Sequence, residues 1–279
     1  MSRLAVIAVL ASHLLHAQVA AEFQRWVDSG TGAFSAGHYT EAASAFQKAA
    51  YLDASDPSTK LYLGAAYMSA WLKEKVSNSD SAVQAEEQLR RVLILQPEND
   101  NALLWLGSLM LQLQRLDEAE SIYSKAAALV HNERTVCDAN YAMGIIIWSR
   151  WYVSYSAARR KLGMATSDSG LLPDSGLRKD LRNRYGPLID EGINRLRSVL
   201  WRERSYAKAS AYLGLLDRQR ATVSEDTMQY LINLRIAEDV EADGGPEATE
   251  LRSKLETSPQ VFPPTLPGRV FRTSTEPDR

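Results

Sequence analysis

Residues Asn101 to Ala126 read NALLWLGSLMLQLQRLDEAESIYSKA. Leu103, Leu106, Gly107 and Met110 stand at offsets 0, 3, 4 and 7, the spacing that puts side chains on one face of a helix. A polar break follows at Gln114-Arg115, and then Ala119, Tyr123 and Ala126 resume helical spacing. The stretch predicts a helix, a short turn and a second helix. Its small residues fall where two helix backbones must come close.

The unit recurs in both directions. Upstream, Leu63-Gly64 and Tyr67 repeat the first helix, and Ala85, Leu89 and Pro97 supply the second. Before that come Trp26, Ser29-Gly30, Ala42, Phe46 and Ala49. Downstream lie Met143-Gly144 with Ile147, and then Leu213-Gly214. Gly192, Leu196 and Val199 fill the slots of Ala119, Tyr123 and Ala126. The glycines at 30, 64, 107, 144 and 214 are 34, 43, 37 and 70 residues apart, which is 34 plus 0, 9, 3 and 36. This pattern resembles the tetratricopeptide repeat (TPR) family, in which W-x2-L-G-x2-Y…A-x3-F…P recurs about every 34 residues. The resemblance implies an all-α fold, a right-handed α-solenoid of helix-turn-helix repeats. The repeats would lie near 23–56, 57–99, 100–136, 137–206 and 207–242, with a nine-residue insertion in the second and a helical insertion in the fourth. An ordinary helical bundle whose glycines coincide is the alternative.

The two ends read differently from the middle. Met1 to Ala17, MSRLAVIAVLASHLLHA, sets Arg3 before an apolar run from Leu4 to Leu15. That run is shorter than the roughly 20 residues that span a bilayer and has the length of a signal-peptide core. A signal peptide over 1–17, a mature start at Gln18 and export to the periplasm or beyond are expected; an uncleaved anchor is the alternative. The one cysteine, Cys137, leaves no partner for an internal disulfide and is expected to be a small packed residue. After Asp243-Gly244-Gly245-Pro246 the repeat pattern fades. PEATELRSKLE suggests a short helix, and residues 243–279 as a whole are expected to form a proline-rich, disordered or polyproline-II tail. Val261-Phe262-Pro263-Pro264 and Val270-Phe271 would let that tail visit an apolar groove.

Net charge of −2 argues against nucleic acid as a partner. Between Arg150 and Arg204, however, 12 Lys and Arg face 6 Asp and Glu, a local excess that could meet an anionic surface. Catalytic signatures are absent from the sequence: H-E-x-x-H, G-x-S-x-G, phosphate-binding glycine loops and calcium loops do not occur. His38 and His131 lie in different repeats without a cysteine nearby, so no metal set is expected. The reading is a non-enzyme with no cofactor, binding a protein or peptide. An envelope subunit docking on an anionic surface through the basic insertion is one alternative, and an enzyme built from scattered residues is another.

In the TPR family, stacked first helices line a concave face. The resemblance places Leu61, Met68, Leu104, Leu111, Tyr141, Ile145, Trp148, Leu215 and Arg218 there, with Ala65, Ser108 and Ala211 between them. The Lys, Asn and Arg that clamp a peptide carboxylate in some members are missing, which implies a groove for an extended or helical apolar peptide. The run LRKDLRNRYGPLIDEGINRLRSV…YAKASAYLGLLDRQRA…YLINLRIAEDVEAD also resembles a group of secreted TPR proteins of Acidobacteria. That resemblance implies export and no particular activity. Ser224 is expected to cap the last helix, whose outer face should be charged, as suits the end of a solenoid.

Overall fold

The computed structural model describes residues 3–74, 79–130, 132–165 and 168–257. His131, part of the second-repeat insertion (75–78) and the apolar tail residues 261–271 lie outside them. Ten helices occupy the described residues: α1 (Arg3–Ser35), α2 (Tyr39–Leu52), α3 (Pro57–Glu74), α4 (Ser79–Leu95), α5 (Asp100–Gln112), α6 (Leu116–Ala127), α7 (Glu133–Lys161), α8 (Ser175–Arg202), α9 (Ala207–Thr222) and α10 (Thr227–Thr257). The chain divides into two compact units, with the division between Leu109 and Met110. In the first unit α1 packs on α2, α2 on α3 and α3 on α4. In the second, α6 packs on α7, α7 on α8, α8 on α9, and α9 on both α7 and α10.

Two kinds of turn set this order. Within repeats one and three, the first helix ends on a left-handed residue. Gly37 (φ 75°) sends its N–H to Phe34 O, and His38 sends its own to Ala33 O. Gln114 (φ 59°) does the same, with Gln114 N–H to Leu111 O and Arg115 N–H to Met110 O. These bonds satisfy carbonyls that a helix end would otherwise leave open. Between repeats, a side chain caps the next helix. Asp56 accepts from Thr59 N at 2.7 Å, Asn99 from Ala102 N at 2.9 Å and Asn132 from Thr135 N at 3.2 Å. Pro57 occupies the first position of α3, where no N–H is needed.

The repeat glycines are where paired helices touch. A Cβ on Gly30 would stand 2.5 Å from the Phe46 ring, and one on Gly64 would stand 2.9 Å from Leu89 Cγ. On Gly144 it would meet Leu196 Cγ at 2.7 Å, and on Gly214 Glu241 Cγ at 2.6 Å. Gly192, on the second helix of repeat four, approaches Ile147 Cγ2 at 2.8 Å. Phe46, Leu89 and Leu196 are fully buried, and Gly107 is buried in α5. The fourth repeat spends its extra length on its helices: α7 has 29 residues and α8 has 28, against 13 and 12 for α5 and α6. Pro187 lies inside α8, which runs as one helix from Ser175 to Arg202. Cys137 is buried, and that burial pushes its thiol pKa up.

The short helix expected in PEATELRSKLE is present, but it is docked on the repeats rather than part of a loose tail. Residues 243–257 complete α10. Gly245 (φ 73°) turns the chain and Pro246 restarts the helix. Ala248 and Leu255 are fully buried, the former against Ala207 and Ala211 of α9. Gly244 lies so close to α9 that a Cβ would come 2.4 Å from Ser210 Cβ. Asp226, not Ser224, caps α10, accepting from Gln229 N at 2.8 Å. Ser224 is buried and takes a hydrogen bond from Asn233 Nδ2. The outer face of α10 is less polar than expected: Met228, Leu231, Ile232 and Ile236 are exposed at helical spacing beside Arg235 and Asp239.

One ionisable group inside the α8–α9 seam bears on stability. Asp217 is 3% exposed; its Oδ2 makes no hydrogen bond and lies 3.8 Å from Arg197 Nη2. Burial raises its pKa from 3.8 to about 6, against the pull of Arg197 and Arg220. The folded chain therefore holds this proton more tightly than the unfolded chain. The resulting stabilisation is present below about pH 4 and is lost as pH rises to about 6. The loss amounts to about 3 kcal/mol at pH 7, from roughly two units at 1.36 kcal/mol each.

Asp217→Asn, which mimics the protonated acid, should raise the melting temperature at pH 7.5 and leave it nearly unchanged at pH 4. An equal effect at both pH values would show that Asp217 is not ionising in the seam. The glycine contacts give a paired test by thermal unfolding. Gly144→Leu should destabilise by about 1–3 kcal/mol through overpacking against Leu196. Gly32→Ala, where a Cβ meets nothing within 4 Å, should instead stabilise by about 0.5–1 kcal/mol through helix propensity.

Candidate functional site

The nine residues placed on a concave face do not form an open surface. Leu61, Met68, Leu104, Leu111, Tyr141, Ile145, Trp148 and Leu215 are all 6% exposed or less. Ala65, Ser108 and Ala211 between them are buried as well. In the second unit the cause is visible: α7 packs directly on α9, so first helices of successive repeats cover each other's inward residues. The Tyr141 ring meets Tyr206 edge-on at 5.1 Å and Tyr212 at 5.9 Å. Trp148 lies 5.1 Å from Tyr152 and 5.6 Å from Tyr212. Burial pushes the phenol pKa values of Tyr141 and Tyr212 well up, as a dry seam requires. These aromatics are core.

Arg218 differs, with a side chain 26% exposed, and it leads to a cavity of about 340 Å³ inside the second unit. Tyr152 and Tyr155 of α7 form one wall, Leu215, Arg218 and Gln219 of α9 another, and Tyr230 and Glu238 of α10 a third. Arg252 and Glu256, from the α10 segment after Gly245, close it together with the loop at Asp168–Gly170. The walls are wired to each other. Arg218 donates through Nε and Nη2 to Glu241 at 2.7 and 3.0 Å. Arg252 Nε sits 3.1 Å from Glu241 Oε2, near enough to pair but misaligned for a hydrogen bond, and Arg252 Nη1 donates to Glu256 at 2.6 Å.

The loop is pinned by a buried cation. Arg159 is 0% exposed, and its guanidinium donates to Ala165 O, Asp168 O and the Tyr155 hydroxyl at 2.6, 2.6 and 2.9 Å. Gly170 N donates to the Tyr230 hydroxyl at 3.0 Å, and Leu172 N to Thr222 O at 2.9 Å. Gln219 is 4% exposed, and its Oε1 makes no hydrogen bond within the protein. A buried acceptor left open costs about 1–3 kcal/mol, so its place on a cavity wall is informative. Among the described residues no group of His, Cys, Asp and Glu is arranged to hold a metal ion. None of the described helices is long and apolar enough to cross a membrane.

Sequence reasoning found Leu215 and Arg218 and missed the rest of this site. Glu241 holds the position that Phe46, Leu89 and Leu196 hold in other repeats, four residues after a small one (Ala237), and that misplaced acid was the available signal. The basic excess of residues 150–204 offered an anionic surface as an alternative, yet at least six of the twelve are engaged within the fold. Arg150 pairs with Asp117 and Glu120, Arg195 with Glu191 and Arg197 with Asp217. Arg159, Arg178 and Arg182 donate to backbone carbonyls.

Residues 79–136 match the family model described as tetratricopeptide repeat. No curated protein matches the chain by sequence. Among solved structures, the MamA protein is 17% identical with a TM-score of 0.52, covering 80% of this chain and 96% of its own. A MamA RS-1 ArsTM double mutant is 14% identical with a TM-score of 0.50, over 80% and 97%. YrrB, titled a TPR protein with an unusual peptide-binding site, is 16% identical at 0.49, over 82% and 90%. The all-helical architecture, the repeat match and the MamA likeness together give this chain the fold of the tetratricopeptide-repeat solenoid proteins.

Proposed function

We propose that the chain is a non-enzymatic interaction scaffold that holds a protein or peptide segment at the cavity between α7, α9 and α10. The observation that carries this is the cavity itself. It is wired on every wall, of a size suited to a small group, and lined by a buried acceptor with no partner in the protein. Most of the repeat's apolar positions are consumed by the core, so recognition falls to this polar, aromatic recess rather than to an apolar groove. The rigid walls favour affinity, because little ordering remains to be done when a ligand arrives. Export belongs to the same reading. The apolar run after Arg3 and the likeness of residues 178–239 to secreted TPR proteins support a scaffold in the bacterial envelope.

Ser169 lies at the exposed mouth of the cavity, so Ser169→Trp should plug it without touching the core. A random peptide library panned on the wild-type chain should yield binders that the plugged variant, with unchanged helical circular dichroism, no longer retains. Binders kept equally by both proteins would remove the cavity from the function. For export, N-terminal sequencing of the native protein should begin at or near Gln18; a mature protein that keeps Met1 would defeat that part of the reading.

A further inference from the structure

We infer that the cavity is selective for one cationic side chain, a guanidinium or ammonium, presented by the bound peptide. This rests on the scaffold reading above and names the chemistry of its ligand. Three acidic residues, Asp168, Glu238 and Glu256, and two arginines, Arg218 and Arg252, line the space; Glu241 and Arg159 stand behind them, bonded to its walls. The arginines already have partners for their charge or their donors, although Arg252 Nε makes no hydrogen bond. Arg159 is fully buried on backbone carbonyls and the Tyr155 hydroxyl, Arg218 is bidentate on Glu241, and Arg252 bridges Glu241 and Glu256. Asp168 Oδ2 already accepts from Ala165 N at 2.7 Å, so the acid left over is Glu238, on the cavity wall and paired loosely with Arg235 at 3.9 Å.

Two further features favour a cation. Gln219 Oε1 is a buried acceptor on the wall, so the ligand must bring a donor. Tyr152, Tyr155 and Tyr230 line the space, and aromatic rings attract cations through their quadrupoles. The chain already uses one of them in this way, since the Arg159 guanidinium lies 5.4 Å from the centroid of the Tyr155 ring. An anionic ligand would compete with Glu241 and Glu256 for Arg218 and Arg252, whose charges those acids already balance. A purely apolar one would strip water from Glu238 and leave Gln219 unpaired, which is costly in both places.

The test uses the full chain and two short peptides, acetyl-Gly-Arg-Gly-amide and its citrulline analogue, which keeps the shape and loses the charge. Binding is followed by the NMR shifts of the Gly170 and Leu215 amides. The arginine peptide should shift both signals saturably and bind about tenfold more tightly than the citrulline peptide. Gln219→Met should weaken both peptides, since each brings N–H donors, while leaving the melting temperature equal or higher, because it removes an unpaired buried acceptor. A merely structural glutamine would instead lower it. Glu238→Gln should weaken the arginine peptide several-fold and leave the citrulline peptide unaffected. Equal binding of the two peptides, tighter binding of an aspartate peptide, or no saturable shift would each overturn the inference. If plug-sensitive library peptides exist but carry no basic residue, the scaffold reading stands and this ligand chemistry falls.

Discussion

Everything in this chain hangs on a contact that only a missing side chain permits. In four repeats the first helix presents glycine where the second presents a larger group: Gly30 to Phe46, Gly64 to Leu89, Gly144 to Leu196 and Gly214 to Glu241. With a Cβ 2.5–2.9 Å from those atoms, no other residue fits without moving a buried partner. The glycine fixes where along each helix the two axes come closest. Helix length is then free to vary around that point, so the fourth repeat carries helices more than twice as long as those of the third without losing its register.

The fifth repeat obeys the same geometry with different chemistry. Glu241 fills the large-residue slot at 5% exposure, and a carboxylate cannot stay there unpaired. Arg218, one turn beyond Gly214 on α9, supplies one partner. The other, Arg252, lies beyond the Gly245 turn, so the charge in the slot requires residues 246–257 to fold back. Gly244 adds a second demand for closeness, against Ser210. An acid in place of an apolar residue thus explains both why the last helix extends past the repeat and why a polar cavity opens beneath it.

The sequence showed the repeats and hid the site for physical reasons. Glycine slots, the Asp56 cap and the Gln114-Arg115 turn depend on neighbours within one helical pair, and such spacing is visible in the chain. Whether Tyr141 and Trp148 face a groove or a neighbour depends on how closely α7 packs on α9, which no local pattern records. The same holds for charge. Counting residues 150–204 gave a basic surplus, but Arg159 is buried on three neutral acceptors and Arg178 and Arg182 tie α8 to the carbonyls that end α9 and follow it. Composition counts charges; it does not show which ones are used as hydrogen-bond donors to the backbone.

That use of arginine is what turns the fourth repeat's extra length into a wall of the cavity. A loop of Gly, Ser, Asp and Pro has little apolar surface with which to hold a position. Here Arg159 reaches from α7 to the carbonyls of Ala165 and Asp168, and Leu172 and Gly170 bond to Thr222 and Tyr230 on the next two helices. Three elements that the repeat pattern treats as separate are thereby fixed around one space. A guanidinium suits the role because it offers five donors in a rigid plane and stays charged when buried. Its positive charge, left without a carboxylate of its own, also partly offsets the surplus of acids facing the cavity. The neutral acceptor of Gln219 and the loosely held Glu238 then remain as the groups with capacity left for a ligand.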